Sequence, residues 1–133
     1  MVEIRVNMKV IKGKELEFMA ANHEDPENPG VYKKVLVGKD DLVKGRVMMI
    51  NWAKIPSGKK FEAHYHEDME EVFVIVSGRA EIEVSGEMAT LERGDAVIIP
   101  VEAIHEMKAL GSEKVEYVAL GVSLELGGRT VNV

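Results

Sequence analysis

Three of the four histidines fall in two short patterns whose residue types could hold a metal ion. In the stretch from Gly58 to His66, His64 and His66 lie two residues apart. Side chains alternate between faces along a strand, so both imidazoles point the same way. The polar stretch 67–70 followed by the apolar run 72–76 reads as a hairpin. Glu71 opens the return strand and is expected to fold back beside the two histidines. The second pattern runs from Gly94 to His105, where an apolar strand stops at Pro100, turns and restarts. A buried hairpin there could bring His105 to the same place. Three neutral imidazoles and one carboxylate suit a divalent first-row metal and do not discriminate among Mn, Fe, Zn, Ni and Cu. A six-coordinate ion would keep two positions open for water or substrate, as catalytic sites do.

The elements that must position these groups read as strands. Residues 2–10 alternate, with Val2, Ile4, Val6, Met8 and Val10 on one face. Residues 32–37, 46–55, 72–76, 80–84, 96–99 and 115–122 are further β-rich runs, and 129–133 forms a short terminal strand after a Gly127-Gly128 turn. The one helical candidate is 14–22. Turn signals recur at the roughly 8–12-residue spacing of β-sandwiches and barrels. The expectation is an all-β barrel or jelly roll occupying 1–133 as one domain.

Composition narrows the function. The chain has 133 residues and a net charge of −6, with no Lys/Arg cluster, so nucleic acid is not an expected partner. No apolar run is long enough to span a bilayer, and the first residues carry no basic-apolar leader, so the expectation is no membrane and a cytoplasmic location. Cysteine is absent, which removes disulfides, thiolate ligands and Cys nucleophiles. Glutamine is absent too, while Glu and Lys are plentiful, a composition expected of a thermostable protein.

Around the candidate ligands, the strand 46–55 offers two faces. Arg46, Trp52 and Lys54 lie on one and would contact substrate if that face lines the barrel; if the other does, Asn51 is the polar lining group. Phe73 and Ile75 share a face with Glu71, and Met107 with His105, so these three are apolar pocket candidates. Tyr65 turns away from its flanking histidines. His23, in a Pro/Asn-rich loop, reads as solvated, and Glu67, Asp68 and Glu70 as an acidic turn.

Taken together, Gly58, His64, His66, Glu71 and Gly78 reproduce the spacing of the first cupin motif. Gly94, Pro100 and His105 match the second, with Glu102 standing where that motif has Gly and Ala109 where it has Asn. The chain therefore resembles the cupins, specifically small single-domain members without an assigned reaction. The resemblance implies a jelly-roll-like barrel with one divalent transition metal on His64, His66, Glu71 and His105. It also implies a homodimer and a small-molecule ligand. Cupin activities include oxygenases, decarboxylases and isomerases as well as non-catalytic binding, so the fold does not select the reaction. The alternatives are a metal-dependent enzyme, a binding module and a metal-stapled structural protein.

Overall fold

The computed structural model describes residues 13–39, 46–123 and 130–133. The described strands form two sheets. One has the order β1 (Met19–Ala20), β2 (Tyr32–Gly38), β3 (Val47–Ile55), β10 (Val115–Ser123), β5 (Met69–Ser77), β8 (Ala96–Ile99). The other runs β11 (Thr130–Asn132), β4 (His64–His66), β9 (His105–Ala109), β6 (Ala80–Val84), β7 (Glu87–Leu91). Every pairing among them is antiparallel. The fold is all-β and jelly-roll-like. Among the described residues no ladder joins the two sheets, so they do not close into a continuous barrel.

Alternation builds the core between them. Along β10 every second residue is buried, from Val115 through Tyr117, Ala119 and Gly121 to Ser123. The first sheet presents inward rows set by register. Lys33, Ala53, Tyr117 and Ile75 are cross-strand neighbours, as are Asn51, Ala119, Phe73 and Val97. A third row holds Met49, Gly121, Glu71 and Ile99. Ile82 and Met107 answer from the second sheet, and Phe61 closes the core near the histidines.

Two turn positions explain how the chain changes sheets. Gly78 has φ 81°, and an added Cβ would meet the Lys114 carbonyl oxygen at 2.3 Å, so only glycine fits. Glu102 keeps the left-handed conformation, φ 65°, at the position where the second motif has glycine. Its N–H donates to the His66 carbonyl at 2.8 Å, tying this turn to β4.

Several expectations change. The stretch 14–22 is not a helix: a single 3₁₀ turn, Gly13–Glu15, precedes β1, whose Met19 and Ala20 pair with Lys33 and Tyr32. A helix of that length is marginal by itself, and strand pairing wins. His64 and Glu71 do not lie on a hairpin, because β4 and β5 belong to opposite sheets. The same holds for β8 and β9, so His105 reaches the site by pairing with His64 across β4 and β9. The edge strand β7 gave no sequence signal, since four of its five residues are exposed. The strand expected at 2–10, the Gly127-Gly128 turn and Arg129 lie outside the described residues.

Candidate metal centre

His64, His66, Glu71 and His105 are all buried, and one ligand atom from each can be chosen so that all lie within 4.8 Å of one another. The histidines come from two adjacent strands of one sheet and the carboxylate from the other. Each imidazole commits Nδ1 to the protein: His64 to the Glu62 carbonyl at 2.7 Å, His66 to Thr130 Oγ1 at 2.9 Å, His105 to the Ala103 carbonyl at 2.9 Å. Carbonyl oxygens only accept, so Nδ1 carries the proton in His64 and His105, and Nε2 is left as a lone-pair donor.

The Nε2 atoms of His66 and His105 lie beside Glu71. His66 Nε2 lies 2.7 Å from Glu71 Oε1. His105 Nε2 lies 3.3 Å from the same oxygen but without hydrogen-bond alignment, leaving a buried nitrogen unpartnered. An orphaned buried nitrogen is costly unless something else binds it. The donor set and its orientation thus fit a divalent transition metal. Burial alone would raise the Glu71 pKa; the imidazoles of His105 and His66 beside it outweigh that and hold the carboxyl at about 2. Burial, followed by the nearby imidazoles of His23 and His105, lowers His64 to about 3. An anionic carboxylate and a neutral imidazole are the forms that ligate metals.

His23 is not a solvated loop residue. Its ring stacks on His64 with centroids 3.9 Å apart and an interplanar angle of 24°. Nδ1 lies 3.1 Å from Glu24 Oε2, and burial lowers its pKa. Glu24 is itself buried and accepts the N–H groups of Gly30 at 2.7 Å and Glu62 at 2.8 Å. The loop is therefore fastened to the segment leading into β4.

A cavity of about 280 Å³ opens beside the cluster. His23, Lys33, Asn51, Phe73 and Tyr117 line it together with His64, His66 and Glu71. Asn51 Oδ1 is buried without a hydrogen-bond partner. The Asn51 face of β3 is thus the inner one, and Phe73 also lines the cavity. Trp52 and Lys54 point outward: Trp52 Nε1 donates to Glu116 at 3.4 Å, and Lys54 Nζ sits 4.2 Å from the Phe18 ring centroid. Arg46 is exposed before β3 and does not line the cavity, while Ile75 and Met107 are buried in the core behind it. Tyr65 turns away, as alternation requires. Lys33, Tyr117 and Thr130 were not anticipated, and only cross-strand register shows that they face inward or reach His66.

The model of the cupin domain matches residues 51–121, and the chain belongs to that family. The match to polyketide synthase CurC of Streptomyces cyaneus is 31% identical over 61 residues, 46% of this chain and 40% of that protein. An uncharacterised protein of Methanocaldococcus jannaschii is 28% identical over 107 residues, 80% of this chain and 82% of that one. Among solved structures, a predicted oxalate decarboxylase of Thermotoga maritima superposes with TM-score 0.75 at 19% identity, covering 87% of this chain and 100% of that one. The polyketide cyclase RemF of Streptomyces resistomycificus gives TM-score 0.77 at 14% identity, covering 96% and 86%. At such identities the structural likeness is one of fold.

Proposed function

We propose that His64, His66, Glu71 and His105 hold one divalent first-row metal, and that the adjoining cavity binds or transforms a small organic molecule. The observation that carries this is the buried cluster itself, with each imidazole Nδ1 occupied by the protein and one ligand atom from each of the four residues within 4.8 Å of the others. A metal there would supply Lewis acidity to a bound oxygen. Ligand lone pairs, a partly apolar wall and room for a small molecule support this reading. So does the fold shared with a predicted oxalate decarboxylase and a polyketide cyclase.

Metal content by mass spectrometry on tag-free protein, beside the double variant His64→Ala/His66→Ala, tests it. About one equivalent in the wild type and none in the variant is the expected result. No uptake by the wild type after reconstitution overturns the reading.

A second, structural role is favoured by the placement of the ligands in both sheets, since an ion there would tie one to the other. We also propose a homodimer. The outer face of the first sheet leaves Val74 39% and Ile98 62% exposed on adjacent strands, and an apolar surface of that kind fits a second copy. A dimer mass in solution scattering is expected; a monomer mass refutes it.

A further inference from the structure

The polar groups of the cavity wall describe a ligand more specific than "small molecule". We infer that the cavity receives a hydroxy acid, its carboxylate paired with Lys33 and its hydroxyl donating to His23; this rests on the cavity being the ligand site proposed above.

Lys33 supplies the charge argument. It pairs with Ala53 in register, on the inward face of β2, and it lines the cavity. Among the described residues no carboxylate is paired with it. Burial lowers its pKa, and among the described residues no ion pair offsets that desolvation. The chain carries a net charge of −6, so a lysine kept on this wall runs against its general character. Glu71 is the acidic side chain on the wall, and it is taken up by His66. An anion entering the cavity would meet Lys33 on its wall.

His23 supplies the hydroxyl argument. Glu24 receives two backbone N–H donors and can only accept, so the bond to His23 is donated by Nδ1–H. That fixes the tautomer and leaves Nε2 as a hydrogen-bond acceptor. The ring lines the cavity and is held in place by its stack on His64 and by the bond from Asn132 Nδ2 to the His23 carbonyl at 2.9 Å. Asn51 Oδ1 is a second unmet acceptor on the wall. One cationic donor and two acceptors call for a ligand with one anionic group and at least one O–H or N–H. A volume of about 280 Å³ takes roughly nine water-sized groups, the scale of a small acid.

Isothermal titration calorimetry on Zn(II)-loaded and metal-free wild type decides the point, with lactate and the larger mandelate as probes. Their amides keep the hydroxyl and lose the charge; propionate and phenylacetate keep the charge and lose the hydroxyl. At least one hydroxy acid should bind about tenfold tighter than both of its partners. Lys33→Gln should erase the preference for acid over amide. His23→Phe, which keeps an aromatic ring against His64, should erase the preference for hydroxy acid over plain acid. Equal affinities within each set, no binding of either acid, or unchanged preferences in both variants would overturn the inference. The comparison on wild type stands even if a variant fails to fold. Absence of metal uptake would remove the metal reading alone, and the metal-free titrations would then decide this one.

Discussion

Each imidazole at the centre spends one nitrogen on the protein, and the three partners are not equivalent. His64 and His105 use carbonyls two residues before them on their own segments, whereas His66 uses Thr130 from a strand 64 residues away. Thr130→Val should therefore loosen one ligand without touching the fold, lowering metal affinity about 10–100-fold in a competition titration with a chelator. Unchanged affinity would show that strand β4 alone orients the ring. The clustering of His64, His66, Glu71 and His105 was legible in the sequence because alternation and motif spacing are local rules. His23, Lys33 and Thr130 were not, because each meets the site through a contact between distant segments. For His23 the neighbouring Pro, Asn and Asp residues signalled only a turn. The pairing of Glu24 with the Gly30 and Glu62 N–H groups is what turns the ring inward.

At the scale of elements, the loop carrying His23 depends on how closely it can approach the segment before β4. A Cβ on Gly30 would lie 1.7 Å from the Lys60 carbonyl oxygen, a backbone atom that cannot swing aside. Gly30→Ala should cost about 2–3 kcal/mol in urea unfolding. On β10, Tyr117 is buried against Phe73 with centroids 4.9 Å apart, and burial raises its pKa well above the ordinary value. The folded state thus holds the neutral phenol. That contribution is complete below the unfolded-state pKa of about 10 and is lost as pH rises toward the folded value. Denaturation curves between pH 9 and 11 should show falling stability in the wild type and a shallower fall in Tyr117→Phe; parallel slopes would refute it. Most strands were readable from period-two patterning. Their partners were not, because alternation says which side chains share a face and nothing about which sheet receives the next strand. Hence β4–β5 and β8–β9 look like hairpins in sequence but cross between sheets.

For the whole molecule, a metal at this centre would add its binding free energy to the stability of the folded chain. At a free metal concentration a thousand times Kd that is about 4 kcal/mol. Chelation should then lower Tm by on the order of 10–20 °C in a protein of this size, with the His64→Ala/His66→Ala variant insensitive to chelator. A Tm indifferent to chelation in metal-containing wild type would exclude the stapling role while leaving the cavity chemistry open.

The central ladder of the first sheet pairs Ile55 with Val115, and β10 then pairs with β5 on its other side. Such contacts close long loops, so this chain belongs among the slow folders, in the range of roughly milliseconds to seconds. His64 and His66 are neighbours from the start, but Glu71 faces them only after both sheets have formed and met. The complete ligand set therefore does not exist along most of the folding route. An ion captured at the end of that route leaves the refolding rate where it was and slows escape from the native state, so its signature in time is a longer-lived fold.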